Sequence, residues 1–149
     1  MLASESRQIF AQIEEMAAAC PQAELERGVH RFRIAAASPT GFDMSLAVDE
    51  FTVELTFDRW WLHFARNDHR AIELFEQALT GDVRIRIDAI AGKPRNWTLE
   101  RRLSPNTWMA EQSVGVLRLW IWGERTVTYL QNDFGFADAA WAPASNRAA

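Results

Sequence analysis

His30, His63 and His69 are the only histidines of this chain and Cys20 is its only cysteine. Metal or nucleophilic chemistry would have to be built from these four side chains and the acids near them. No His-x-x-x-His or Cys-x-x-Cys spacing is present, and Asp58 and Asp68 do not complete a recognisable ligand set with His63 and His69. No metal is expected. Cys20 falls on the apolar stripe near the end of a helix, where the dipole raises a thiol pKa, so it reads as a small core residue. There is no Gly-x-Ser-x-Gly elbow, and the acid pairs Glu14-Glu15 and Asp49-Glu50 read as a helix surface and a turn. Ala91-Gly92-Lys93-Pro94 lacks the second glycine and the Ser/Thr of a phosphate loop, and Pro94 removes a backbone N–H, so it reads as a hairpin turn. No Gly-x-Gly-x-x-Gly follows a strand. No cofactor and no catalytic residues are expected.

One constellation remains. Three strand-like runs have a plainly apolar phase: Trp60/Leu62/Phe64, Val83/Ile85/Ile87 and Leu117/Leu119/Ile121. The opposite phase carries Trp61/His63, Arg84/Arg86, Thr98/Glu100/Arg102 and Arg118/Trp120/Trp122. A half-exposed sheet ordinarily shows Thr, Lys, Glu and Ser there. Arg and Trp are the types most enriched at binding hot spots, and Arg stacks on Trp faces. The candidate binding face is therefore Trp61, His63, Arg84, Arg86, Arg102, Arg118, Trp120 and Trp122. The competing reading has a helix covering this face, with Trp120 and Trp122 as core under Arg stems. Arg101 interrupts the pattern, because it shares its phase with Trp97 and Leu99. Either the strand bulges there or the faces exchange beyond Leu99.

Such a face suits a non-catalytic interaction domain whose partner is another protein or a second copy of itself. Charge reversal at Arg84 and Arg86 is expected to weaken assembly and leave the fold intact. The alternative is a ligand-binding protein or enzyme with an apolar pocket between sheet and helix, lined by Trp61, His63 and Trp120, with His63 as the acid–base group. Stacking of single-stranded nucleic acid is a third reading. The formal net charge of −4 weighs against it, although Arg84, Arg86, Lys93, Arg95, Arg101, Arg102, Arg118 and Arg125 gather late in the chain. Nucleic acid and membrane are not expected as partners.

The elements that must position these residues follow from periodicity. Ile9, Ile13, Met16, Ala17 and Cys20 recur at helical spacing over about residues 5–20, with Ser4 or Ser6 as cap and Pro21 as exit. Val29 to Ala37 and Phe42 to Val48 read as strands about the turn Ser38-Pro39-Thr40-Gly41. Phe51, Val53, Leu55 and Phe57 alternate with polar residues, and the apolar set then passes to Trp60, Leu62 and Phe64. A one-residue slip of that kind demands a bulge or turn at Asp58-Arg59, and a tight hairpin is favoured. Asn67 or Asp68 caps a second helix with Ile72, Phe75, Ala78 and Leu79 on one face, Glu73, Glu76 and Gln77 mostly off it, and Gly81 as its stop. Val83 to Ile87 and Trp97 to Leu103 form a hairpin about Gly92-Lys93-Pro94. After the break at Ser104-Pro105-Asn106, Thr107 to Gln112 forms a short strand. Val114 to Trp122 and Arg125 to Gln131 form a last hairpin about Gly123-Glu124.

The 149 residues, 48% hydrophobic and 24% charged, fit one domain with its own core. Seven Trp and nine Phe against one Tyr supply large buried areas. The expected class is α+β: a mostly antiparallel sheet of about six strands with two helices packed on it, in the order α-β(2–4)-α-β(4–5). Residues 1–136 are expected to form the domain and 137–149 a loosely ordered tail, in which Trp141 is out of character. The first residues show no basic and then apolar leader, and no apolar run approaches a membrane span, so a cytoplasmic location is expected.

Overall fold

The computed structural model describes residues 4–115 and 122–134. Its order is α1 (Ser4–Ala18), β1 (Leu25–Arg27), β2 (Arg31–Ile34), β3 (Met44–Val48), β4 (Thr52–Phe57), β5 (Trp60–Ala65), α2 (Arg70–Thr80), β6 (Val83–Ile90), β7 (Lys93–Ser104), β8 (Thr107–Gly115) and β9 (Arg125–Gln131). The class is α+β, but the expected sheet of about six strands is replaced by two antiparallel sheets. Sheet A is a five-stranded meander, β1-β2-β3-β4-β5; sheet B has the order β8-β7-β6-β9. The reason is α2, which interrupts the run of hairpins and shares one core with the inner faces of both sheets.

Alternation decides what enters that core. On sheet A, Phe32, Ile34, Met44, Leu46, Leu55 and Phe57 share one core with Ile9, Phe10, Ile13 and Met16 of α1, Phe10 meeting Phe32 edge-on at 4.6 Å. The phase slip after Phe57 is resolved as expected: Phe57 pairs with Trp60 across a two-residue turn, with Asp58 at φ 55°. Trp60 is thereby returned to the core, where its ring stacks on Phe57 at 5.5 Å and Phe57 lies 5.2 Å from Phe42. Its indole Nε1 donates to the Gln112 carbonyl of β8 at 3.1 Å and so joins the two sheets. Sheet B buries Val83, Ile85 and Leu99 against α2.

Several boundaries differ from expectation. The strand expected over Val29 to Ala37 contracts to β2, and β1 pairs with it through Leu25↔Ile34. Ser6 lies inside α1 and is buried, so it is not a cap. The N-cap of α2 is His69, whose side chain makes no capping bond; the Asp68 carboxylate instead accepts the Arg70 N–H at 3.0 Å. Glu76 is buried rather than off the apolar stripe. Gly81 closes α2 in the left-handed conformation, as expected. The β6–β7 turn is Ala91-Gly92, leaving Lys93 and Pro94 in the strand.

A long-range pairing was not expected: β9 pairs with β6, from Arg84↔Gln131 to Ile90↔Arg125, while residues 116–121 of the strand expected to form a hairpin with it lie outside the described residues. Phe134 then enters the core, and Asn132 clamps the β2–β3 loop. The Asn132 Oδ1 accepts the Phe42 N–H at 2.9 Å, and its Nδ2 donates to the Phe42 carbonyl at 3.0 Å. The tail expected over 137–149 lies outside the described residues.

Candidate binding face

Sheet B carries two different surfaces on its two phases. With Val83, Ile85 and Leu99 turned into the core, β6 must present Arg84, Arg86 and Asp88 on the opposite face, beside Glu100, Thr98 and Asn96 of β7. β9 sets Gln131, Tyr129 and Val127 along one side of this face, and β8 sets Trp108, Ala110 and Ser113 along the other. Both helices lie on the core side of their sheets. Among the described residues, no helix covers this outer face.

Arg84 is its centre. The guanidinium lies 4.3 Å from the ring centroid of Trp108 and 3.9 Å from that of Tyr129, a cation held between two aromatic faces. Its Nε donates to Glu100 Oε1 at 2.6 Å, with side-chain exposures of 20% and 9%. Arg102 approaches the same Trp108 ring at 4.9 Å and donates to the Gly81 carbonyl at 3.3 Å. Arg86 bonds Asp88 at 3.0 Å, and the Thr98 hydroxyl lies 2.7 Å from that of Ser113. Each arginine here has an acid beside it, Arg102 more distantly at 3.9 Å from Asp82. The face is therefore a charge-balanced, aromatic-rich surface and not a basic one. Tyr129 is 44% and Val127 42% exposed.

The other expected site residues lie elsewhere. Trp61 and His63 are on the outer face of sheet A, so the structure does not join them to Arg84, Arg86 and Arg102 on one sheet. Trp61 is 50% exposed, and His63 Nε2 lies 2.8 Å from Glu54 Oε2. Arg118 and Trp120 lie outside the described residues, as does the phase Leu117/Leu119/Ile121. Trp122 is 92% exposed, so it is not the core residue that the covered-face reading required. Trp108 and Tyr129 were missed. Plain alternation from the Ser104↔Thr107 pair would put Met109 opposite Arg102, but an irregularity between Arg102 and Ser104 puts Trp108 there. Tyr129 joins the face only because β9 pairs with β6.

A second feature is a cleft of about 380 Å³ bordered by β5, α2, β7 and β8. Its apolar wall is Trp60, Leu62, Phe64, Leu74 and Leu99. Arg70, Glu73, Arg101 and Glu111 supply its charges, and Arg101 Nη2 lies 2.6 Å from Glu111 Oε1. The irregularity invoked for Arg101 is thus real but sits on the neighbouring strand: Leu99 pairs with Gln112 and Glu100 with Ala110, leaving Glu111 as the extra residue of a β8 bulge. β7 itself keeps its phase against β6, so Arg101 stays on the Leu99 side. Trp61 and His63 belong to the opposite phase of β5 and do not line this cleft.

Among the described residues, no three His, Cys, Asp or Glu side chains converge as a metal site, and no helix is long and apolar enough to cross a membrane. Burial pushes the Cys20 thiol up to about 11. No protein-family model matches this chain, and neither the curated proteins nor the solved structures contain a significant match to it.

Proposed function

We propose that this domain is a non-catalytic interaction module that holds another protein chain, a second copy of itself included, on the outer face of sheet B. The observation that carries this reading is the Arg84 guanidinium fixed between Trp108 and Tyr129. An arginine already held by two rings and a carboxylate loses little further freedom when a partner covers it. Exposed Tyr129 and Val127 add apolar contact beside it. The salt-paired arginines offer no surplus positive charge to a phosphate backbone, and nothing here favours nucleic acid.

Arg84 is a poor residue with which to test the idea. Its reversal to Glu would set a second carboxylate against the nearly buried Glu100 and damage the sheet. The better probe is Arg86→Gln combined with Tyr129→Ser, both side chains being partly exposed and the glutamine amide still able to donate to Asp88. Light scattering and cross-linking of the pure protein, with pull-down from its native lysate, should show association that the double variant loses at unchanged circular dichroism. Association that survives the double variant, or a wild-type chain that associates with nothing, counts against the face. The cleft beside α2 favours a second reading, ligand binding.

A further inference from the structure

The geometry points to a second, independent site: we propose that the cleft bordered by β5, α2, β7 and β8 binds a small zwitterion with an apolar body, the size of a free apolar α-amino acid. The inference does not rest on the sheet B face.

The cleft is partly a product of irregular backbone. Glu100 pairs with Ala110 and its neighbour Leu99 with Gln112, so Glu111 is the extra, unpaired residue of the bulge, and its carboxylate bonds Arg101 over the cleft. Bulges in edge strands commonly re-aim one side chain in this manner. Arg70 comes from the first turn of α2, where its Nε donates to Asp68 Oδ1 at 3.1 Å and its Nη2 to Asp68 Oδ2 at 2.7 Å, and it lies 5.7 Å over the Phe64 ring. Glu73 follows one turn later on the same helix. Two guanidinium groups and two carboxylates thus surround a wall made of Trp60, Leu62, Phe64, Leu74 and Leu99.

That balance selects among ligands. A simple anion would be attracted by Arg70 and Arg101 and repelled by Glu73 and Glu111; a simple cation meets the reverse. An uncharged apolar molecule gains the wall but cannot engage the charged groups. A zwitterion satisfies both signs together: its carboxylate takes a place on Arg101 and its ammonium a place on Glu111 or Glu73. The volume of about 380 Å³ lies at the small end of ligand pockets, which limits the apolar body to one side chain or a little more.

The test is isothermal titration of the full chain with L-leucine, L-phenylalanine and L-tryptophan. N-acetyl-L-phenylalanine and L-phenylalaninamide serve as probes that lack one charge each. Saturable binding of at least one amino acid is expected. Each blocked analogue, and each of the variants Arg101→Gln and Glu111→Gln, should bind roughly tenfold more weakly or worse, as loss of a charge-assisted hydrogen bond implies. Leu62→Trp, which fills the cleft from a half-buried position, should abolish binding at unchanged circular dichroism. The proposal is overturned if no amino acid binds up to about 10 mM, a limit that corresponds to negligible affinity. Blocked analogues that bind as well as the parent, or unchanged affinity in the Arg101 and Glu111 variants, overturn it equally.

Discussion

Gly41 and Asn132 should behave as one unit, and a double-mutant cycle will show it. Gly41 is buried, and a Cβ built on it would stand 2.4 Å from Asn132 Oδ1. That oxygen has nowhere to go without abandoning the Phe42 N–H at 2.9 Å, and the same amide group also holds the Phe42 carbonyl at 3.0 Å. Gly41→Ala therefore forces either an overpacked contact or a broken clamp, a cost of about 1–3 kcal/mol. Asn132→Ala leaves two buried backbone groups without their partner, each worth about 1–3 kcal/mol. In the Asn132→Ala background the 2.4 Å contact no longer exists. The nearest remaining neighbours of the new methyl are the Ser38 carbonyl at 3.3 Å and Ala36 Cβ at 3.5 Å. Adding Gly41→Ala there should cost little, so the double variant should be close in stability to Asn132→Ala alone. The expected coupling is about 1–3 kcal/mol, well above the roughly 0.5 kcal/mol scatter of independent sites. Urea unfolding followed by tryptophan fluorescence and by circular dichroism measures it, with coincident transitions as the check that two states suffice. Two penalties that simply add would mean that the clamp does not fix the β2–β3 loop, and the reasoning would fail.

Two further outcomes follow from titratable groups. Cys20 is buried and its thiol is pushed up to about 11 by desolvation. Alkylation near neutral pH should therefore proceed only through unfolding and accelerate along the urea transition; rapid labelling of the native chain would contradict the placement of Cys20. Asp43, Asp49 and Asp68 are held below the ordinary carboxylate value of 3.8, Asp43 first by the Ala36 N–H and then by Arg33, Asp49 by the Thr52 N–H, and Asp68 by the Arg70 guanidinium. A carboxylate depressed in the folded state adds stability above its unfolded value, and that stability is lost as pH falls through the folded value. The urea midpoint should thus be flat from neutrality to about pH 5 and drop below about pH 4, with a smaller drop in Asp43→Asn.

What the sequence made legible was whatever depends on local periodicity and turn chemistry. The phase slip between Phe57 and Trp60 called for a bulge or a turn at Asp58-Arg59, and the hairpin found there keeps both apolar sets in one core. Gly81 specified the end of α2, since it alone there takes the left-handed conformation without strain. The α+β class followed from short turns, which force antiparallel neighbours. Partner choice between distant strands was not legible. Nothing local announces that β9 pairs with β6, and the strand order of sheet B hangs on that pairing. The candidate face was half legible for the same reason. Arg84, Arg86 and Arg102 were found by alternation, whereas Trp108 and Tyr129 reach the face through an irregularity and a long-range pairing. Trp61 and His63 have the right alternation but belong to the other sheet.

The two candidate sites lie back to back on β7 and β8, and this arrangement makes them separable. Along β7, Arg101 points to the cleft while its neighbours Glu100 and Arg102 belong to the outer face. Along β8, Trp108 serves the outer face and Glu111 the cleft. Two irregularities in the β7–β8 ladder set this division, one between Arg102 and Ser104 and one between Leu99 and Glu100. An unbroken ladder would carry Trp108 to the wrong side and leave no extra carboxylate for the cleft. β8 can tolerate such disorder of register because, among the described residues, it is an edge strand paired only with β7, and because the Trp60 indole fixes its position through the Gln112 carbonyl right beside the bulge. A central strand, bound on both sides, would have had to repeat each irregularity on a second neighbour. The edge of sheet B is thus where irregular backbone costs least, and both surfaces with chemistry to offer are built on it.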